Sequence, residues 1–366
     1  MMQQKLKAIC DKFRIYGDYI VAVPFGSGHI NDTYQVTYDQ GGVRLHYTLQ
    51  RINHNVFKNP PKLMENIDRV TRHVLGKIHA SSQETFKRTI RLLETRTGLP
   101  YVEDDAGNFY RCYIFIENAR TYDILETPEQ AFQAARTFGE FQLDLVDLPG
   151  ERLFETIRDF HHTPKRVEAL ERAIAEDKCG RVKDVSREID FILARKEECS
   201  RLIRLNIEGL IPERITHNDT KLNNVLIDDL SGNGICVIDL DTVMPGLVHY
   251  DFGDMVRTGT SPAGEDEMDL KKVYMQFEMF EGLLRGYLSS AGNFLNPVER
   301  EELPFSGKLI TLEIGTRFLT DYLEGDVYFK THRPNQNLDR CRTQIKLVES
   351  IEAQFDAMHK LLKEIK

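Results

Sequence analysis

Residues 217–224, His-Asn-Asp-Thr-Lys-Leu-Asn-Asn, and residues 238–241, Ile-Asp-Leu-Asp, decide the fold that this sequence predicts. The first stretch is a His-x-Asp-x-x-x-x-Asn loop, and the second ends a short apolar segment further along the chain. Kinases use this order of loop and strand to place a catalytic base and two metal ligands for phosphoryl transfer. The two motifs together therefore predict a phosphotransferase that uses ATP and Mg²⁺.

The oxygen-bearing side chains of these stretches suit that chemistry. A carboxylate must accept the proton of the attacking hydroxyl, and Asp219 is placed for that role. Mg²⁺ takes one or two protein oxygens besides phosphate and water, so Asn224 and Asp239 are expected to bind it. Asp241 is either a further metal ligand or an N-cap. We expect His217 to brace the loop through hydrogen bonds.

A second aspartate motif, residues 251–253, reads Asp-Phe-Gly and looks like the metal-binding signature of protein kinases. Asp239 already lies at the appropriate distance after the catalytic loop, so this signature is not needed for metal. We expect Asp251 to brace the catalytic loop or to start a helix.

Composition excludes several classes of protein. The chain has 366 residues, enough for two lobes, and a net charge of −9, which does not favour nucleic-acid binding. Its six cysteines are scattered, which predicts free thiols in a reducing compartment. No segment approaches the roughly 20 apolar residues that cross a bilayer. We expect a cytoplasmic protein with no membrane partner.

The hydrophobic pattern predicts an α+β chain with a boundary near residue 117. Residues 1–117 predict a β-rich nucleotide-binding N-lobe, with three strands between 19 and 52, a hairpin turn at 39–42 and further strands at 89–93 and 101–116. A helix after Pro60 carries an apolar stripe of Leu63, Ile67, Val70 and Val74. Residues 118–366 predict a mainly helical C-lobe that carries the catalytic loop, the metal site and the substrate site. Thr127 is expected to cap its first helix, and residues 165–208 are expected to form a charged helical stretch. Between the first two strands, Gly26, Ser27 and Gly28 would let backbone N–H groups approach phosphate.

The motifs resemble those of the aminoglycoside phosphotransferase and choline kinase superfamily, and most closely those of bacterial N-acetylhexosamine 1-kinases. The matching stretches are residues 26–31 with 33–34, 160–164, 217–224, 238–246, 252–254, and 317–319 with 321–326. The resemblance implies a protein-kinase-like two-lobed fold. It also implies that His29, Asn31, Asp219, Arg317 and Tyr328 surround a small sugar, whose anomeric hydroxyl receives the phosphate.

One position departs from the pattern of related kinases. Those enzymes carry Lys or Arg on the third strand to hold the α and β phosphates, whereas this chain has Gln50 there. Arg51 points to the opposite face of a regular strand, so it replaces the cation only if a bulge intervenes. Gln50 is expected to bind the nucleotide as a neutral donor.

Other functions stay open on the sequence alone. The acceptor of a kinase with these motifs could instead be choline, an aminoglycoside or homoserine. A nucleotide-binding module without catalysis is the alternative from a different class, because the strand lysine is missing. Residue spacing does not encode whether N-acetylglucosamine or N-acetylgalactosamine is the preferred epimer, because hydrogen-bond geometry decides between them.

Overall fold

The computed structural model describes residues 2–26, 30–78, 88–122 and 124–365 and divides the chain into two compact units. The first unit consists of residues 1–120, 147–158 and 226–244. The second consists of residues 121–146, 159–225 and 245–366. The first break lies three residues beyond the predicted one, and the first unit also takes in two later segments.

Strands are concentrated in the first unit and helices in the second. The strands are β1 (Asp18–Pro24), β2 (Asp32–Gln40), β3 (Val43–Ile52), β4 (Val102–Glu103), β5 (Phe109–Ile114), β6 (Ala119–Arg120), β7 (Arg214–Thr216), β8 (Val225–Asp228), β9 (Gly234–Val237) and β10 (Met244–Gly246). The helices are α1 (Met2–Cys10), α2 (Pro60–Ile78), α3 (Pro128–Leu145), α4 (Thr163–Glu176), α5 (Ser186–Leu193), α6 (Arg201–Ile207), α7 (Val248–Gly259), α8 (Phe277–Ala291), α9 (Pro297–Glu301), α10 (Leu303–Glu324), α11 (Gln336–Ala353) and α12 (Phe355–Glu364). The predicted α+β class is confirmed.

The main sheet of the first unit has the strand order β1-β2-β3-β5-β4. Gly41 and Gly42 connect β2 and β3 with φ angles of 69° and 90°, as a tight hairpin turn requires. On one face, Leu49 of β3 and Cys112 of β5 are buried in an apolar cluster with residues of α1. The opposite face carries polar side chains, among them Gln50.

Helix α2 explains why two later segments join the first unit. Its predicted apolar stripe is confirmed, since Leu63, Ile67, Val70 and Val74 are all buried. Asn66 lies within the same helix and is also fully buried. Its side chain donates to the carbonyls of Phe154 at 2.8 Å and Val243 at 3.1 Å. These bonds tie residues 147–158 and 226–244 to the N-terminal part of the chain.

Helix α10 forms the centre of the second unit, where it packs against α7, α11 and α4 and is buried along most of its length. Helix α3 starts as predicted, with Thr127 as N-cap accepting a bond from the Gln130 N–H. It packs closely on α8, because a Cβ at Gly286 would lie 2.2 Å from the Phe132 carbonyl oxygen. This helical framework holds the loop between β7 and β8.

Two predicted elements differ from the structure. The charged stretch 165–208 is not one continuous helix, because 3₁₀ turns separate α4, α5 and α6. Residues 89–93 make only isolated bridges, Thr89 with Val237 and Leu92 with Tyr113. All six cysteines are free, as predicted. Among the helices that the structure describes, none is long and apolar enough to span a membrane.

Candidate active site

The loop after β7 is held by a buried aspartate of helix α7. Asp251 accepts hydrogen bonds from the backbone N–H of His217 at 2.9 Å and of Asn218 at 2.6 Å. The Thr220 hydroxyl donates to the Asp251 carbonyl at 2.6 Å. Asn218 has a φ of 65°, a left-handed conformation that these bonds support. The prediction that Asp251 braces the catalytic loop is confirmed.

His217 has the bracing role that the sequence predicts. Its ring is fully buried and meets the rings of Phe138 and Phe141 at centroid distances of 5.5 and 6.1 Å. Its Nδ1 accepts a 3.3 Å bond from the Asp219 N–H. These contacts fix the position of the loop at Asp219, the candidate base.

Asp219 is ionised at neutral pH in this environment. Burial alone raises the pKa of this carboxyl, but the nearby Lys221 and His217 lower it overall. The Lys221 ammonium lies 3.2 Å from the carboxylate, whose side chain is 27% exposed. Asn224 donates to the Asp219 carbonyl at 2.8 Å, which fixes the end of the loop. The carboxylate is therefore available as a proton acceptor.

A buried histidine that sequence reasoning left without a role also supports this loop. The Nε2 of His161 lies 2.9 Å from the Asn218 carbonyl, and its Nδ1 lies 2.8 Å from Glu313 of helix α10. Thr163 donates to the second oxygen of Glu313 at 2.6 Å. His161 stood in a stretch that the resemblance singles out, but its partner Glu313 is 152 residues away.

The predicted substrate residues Arg317 and Tyr328 lie together in the second unit. The Arg317 guanidinium lies 5.7 Å from the Tyr328 ring centroid and is 3.5 Å from its hydroxyl. It also stacks over the rings of Phe160 at 5.3 Å and Phe329 at 5.5 Å. Asp321 accepts from the N–H groups of residues 327, 328 and 329, which fixes this segment.

These residues form a continuous series of contacts with the catalytic loop. Arg317 lies over Phe160, whose ring centroid is 4.7 Å from that of His161. His161 in turn bonds the carbonyl of Asn218, the residue before Asp219. Helix α10 supplies both Arg317 and the Glu313 that orients His161. The structure thus connects the candidate substrate residues with the candidate base inside one unit.

In the first unit, Asp239 and Asp241 follow strand β9. Asp239 has a φ of 58°, so the chain turns sharply there, after the strand. Asp241 is buried, and its two oxygens accept from Arg111 and, at 2.6 Å, from Asn31. Asn31 also accepts from the Asn53 N–H at 2.9 Å. Asp241 is therefore an ion-pair partner within the unit. It does not cap a helix, because it lies inside the 3₁₀ turn Leu240–Thr242.

The glycine-rich stretch lies only partly within the described residues, whereas Gln50 lies within them. Gly26 has a φ of 81°, a conformation that suits glycine, while Ser27, Gly28 and His29 lie outside the described residues. Gln50 donates to the Thr33 hydroxyl at 3.0 Å and accepts from Arg111 at 2.9 Å. Its predicted role with the nucleotide stays a prediction.

No group of three His, Cys, Asp or Glu side chains is assembled as a metal site within the part of the chain that the structure describes. Mg²⁺ in kinases needs fewer protein ligands, because phosphates and water complete its shell. The oxygens of Asn224 and Asp239 are the hard donors that this ion takes, so their chemistry fits it.

Solved structures of several phosphotransferases share this fold over nearly the whole chain. An aminoglycoside phosphotransferase from Alicyclobacillus acidocaldarius is 13% identical, with 98% of this chain and 96% of that chain covered and a TM-score of 0.66. An amicoumacin kinase in complex with AMP-PNP and Ca²⁺ is 15% identical, with 96% and 93% covered and a TM-score of 0.60. A spectinomycin phosphotransferase in complex with ADP and spectinomycin is 15% identical, with 97% and 99% covered and a TM-score of 0.58.

These similarities confirm the predicted kinase-like fold with a β-rich N-lobe and a helical C-lobe. A family model described as the phosphotransferase enzyme family matches residues 21–276, more than half of the chain. The match includes the catalytic loop and the aspartates after β9. The chain therefore belongs to the phosphotransferase enzyme family.

Proposed function

We propose that the protein is an ATP- and Mg²⁺-dependent kinase that phosphorylates the anomeric hydroxyl of an N-acetylhexosamine to give the sugar 1-phosphate. The observation that carries this proposal is the contact series within the second unit. It runs from Arg317, through Phe160 and His161, to the Asn218 carbonyl beside Asp219. A sugar held by Arg317 would therefore be bound in the same unit as the base, by a residue that the packing connects to the loop carrying Asp219.

The acceptor side suits a small neutral sugar better than a cation. A sugar is recognised by several hydrogen bonds and by packing of its ring face on an aromatic side chain. Arg317 offers guanidinium donors to an N-acetyl carbonyl or ring hydroxyl, and Tyr328, a residue that is 63% exposed, offers a ring and a hydroxyl. The charge of Arg317 would repel choline or a polycationic aminoglycoside.

The base is matched to this acceptor. The lowered pKa of Asp219 makes it a weak base, so it accepts the proton late, when the phosphoryl group has begun to transfer. The anomeric hydroxyl is more acidic than an ordinary alcohol, which suits a weak base. Lys221 and Asn224 hold the carboxylate side of the loop in place.

The proposed use of Mg²⁺ with the nucleotide rests on the oxygen-bearing side chains that could bind the ion. Asn224 and Asp239 each carry an oxygen of the kind that Mg²⁺ takes, and the ion would offset negative charge on the phosphates when it is bound. With its Nδ2 directed at Asp219, Asn224 keeps its amide oxygen for the ion. Asp241 and Asn31 bond one another, so we assign them a supporting role and leave them out of the metal and sugar sets.

The test is product identification with a panel of acceptors. N-acetylglucosamine, N-acetylgalactosamine, glucose, choline, homoserine and kanamycin are each incubated with ATP and MgCl₂, and ADP release and ³¹P NMR are recorded. We expect a sugar 1-phosphate from an N-acetylhexosamine. Phosphorylation of choline or kanamycin alone would refute the proposal, and nucleotide binding without ADP release would favour a non-catalytic module.

Asp219→Asn provides the matching test of the base. The variant should lose turnover, by at least about 100-fold on the scale of general-base catalysis, and still bind the sugar. Asp190→Asn makes the same chemical change at an exposed position of α5 and should retain activity. Normal turnover by Asp219→Asn would exclude this carboxylate as the base.

A further inference from the structure

Strand β5 places an arginine directly opposite the glutamine that occupies the usual lysine position. Arg111 pairs with Gln50 in the register of β3 and β5, and cross-strand partners project from the same face of a sheet. The Arg111 side chain is fully buried. Its Nε donates to the Gln50 Oε1 at 2.9 Å. A cation therefore lies beside the position where related kinases carry one.

Two of the three Arg111 nitrogens have partners within the first unit. Nη1 bonds the Oδ1 of Asp241, and Nε bonds Gln50. Nη2 is buried and has no hydrogen-bond partner among the described residues. A buried donor without an acceptor costs about 1–3 kcal/mol, which is unusual in folded proteins. An acceptor supplied by a ligand would remove that cost.

The charges around Arg111 suit a site for a metal-bound phosphate. Burial alone lowers the pKa of this guanidinium, but the carboxylates of Asp241 and Asp239 raise it overall, so it stays charged. Asp239 is the residue that we propose as a metal ligand. Phosphate oxygens that share an ion with Asp239 would come close to Arg111.

We propose that Arg111 is the phosphate-binding cation of this protein, donating through Nη2 to a phosphate oxygen of ATP in place of the missing strand lysine. This inference rests on the proposed function only in taking ATP as the nucleotide. Because neighbouring side chains enclose the guanidinium, binding requires a local rearrangement of those side chains. Gln50 then serves to orient Arg111 and does not replace the lysine itself.

The other arginine near this position does not fit the role. Strand β3 pairs with β2 and β5 in an unbroken register through Gln50 and Arg51, so no bulge turns Arg51 to the Gln50 face. Arg51 instead forms an ion pair with Asp32, and its side chain is 44% exposed. It therefore makes a matched control on the opposite face of the sheet.

A simpler role for Arg111 is to neutralise Asp241, so the experiment is carried out with that carboxylate removed. Isothermal titration calorimetry measures the affinities of Asp241→Asn for ATP and adenosine, in EDTA and again in MgCl₂. The same titrations are made with R111Q D241N and with R51Q D241N. Circular dichroism checks the fold, and R111M D241N serves if the glutamine variant does not fold.

We expect the preference for ATP over adenosine to fall about 10- to 100-fold in R111Q D241N, the range for a hydrogen bond to a charged group. It should stay unchanged in R51Q D241N. Equal preference in D241N and R111Q D241N, or no preference for ATP in D241N under either condition, would overturn the assignment. If R111Q D241N loses the ATP preference but the wild-type protein phosphorylates no sugar, the assignment of Arg111 stands and only the proposed function is refuted.

Discussion

Replacement of His161 by leucine tests whether the buried pair with Glu313 orients the catalytic loop. Glu313 is fully buried and accepts from Thr163, and the Asn218 carbonyl can only accept. With Glu313 ionised, His161 must therefore carry protons on both nitrogens to make both of its bonds. His161→Leu leaves a buried carboxylate without its cation, which costs about 3–5 kcal/mol.

Glu313→Gln is the informative companion variant. A glutamine amide can donate to Nδ1 of a neutral His161 while its oxygen accepts from Thr163, so all three hydrogen bonds persist. We expect Glu313→Gln to be nearly as stable as the wild type. In H161L E313Q the buried charge is gone, and the remaining cost is an amide without a partner, about 1–3 kcal/mol.

The pair also predicts how stability depends on pH. Burial lowers the pKa of His161, but Glu313 raises it overall above the ordinary 6.5, with smaller contributions from the Asn218 carbonyl and Asp254. Stabilisation by His161 is thus complete below about pH 6.5 and is lost as the pH rises through the folded-state pKa. Burial raises the pKa of Glu313, but His161, Thr163 and Arg317 lower it overall below 4.5. Its stabilisation is complete above about pH 4.5 and is lost at lower pH.

Guanidinium unfolding followed by circular dichroism, at pH values from 5 to 9, measures these effects. The free energy of unfolding of the wild type relative to Glu313→Gln should fall as the pH rises above 6.5. Steady-state kinetics over the same pH range should show a lower kcat for His161→Leu than for the wild type, with an unchanged KM for ATP. A flat difference between wild type and Glu313→Gln, or a His161→Leu variant within 1 kcal/mol of the wild type, would refute the reasoning.

Three further substitutions test other parts of the second unit. Asp251→Ala removes the carboxylate that accepts from the N–H groups of His217 and Asn218, at about 1–3 kcal/mol each, and should lower both the melting temperature and kcat. Gly253→Ala would place a Cβ 2.4 Å from a backbone oxygen of α10, so calorimetry should show destabilisation of about 1–3 kcal/mol. Arg317→Lys loses the planar group over three rings, so the KM for the sugar should rise about tenfold while that for ATP is unchanged.

Local motifs were predictable from the sequence because their chemistry depends on spacing along the chain. The loop from His217 to Asn224, its brace by Asp251 and the hairpin at Gly41 each involve residues whose backbone order already limits their geometry. The helix start at Thr127 was predictable for the same reason, since capping is decided within one turn. The helical spacing of apolar residues also predicted the buried stripe of α2.

Long-range polar partners were not predictable in this way. Arg111 meets Gln50 across 61 residues and Asp241 across 130, and spacing cannot reveal a pair that depends on strand register. The sequence therefore indicated a missing cation at Gln50 without indicating where another cation lies. The helical boundaries inside 165–208 were missed because charged helical periodicity continues through the intervening 3₁₀ turns.

Two of the buried ion pairs, Arg111 with Asp241 and His161 with Glu313, have a common energetic property. A protein in which apolar residues replace such a pair is often as stable as the original or more stable. Stability alone therefore does not account for either pair. Each pair fixes the direction of a polar group beside a residue with a proposed catalytic or metal-binding role. His161 directs the carbonyl next to Asp219, and Arg111 lies beside Asp239. Orientation of the reacting groups therefore explains these pairs better than stability does.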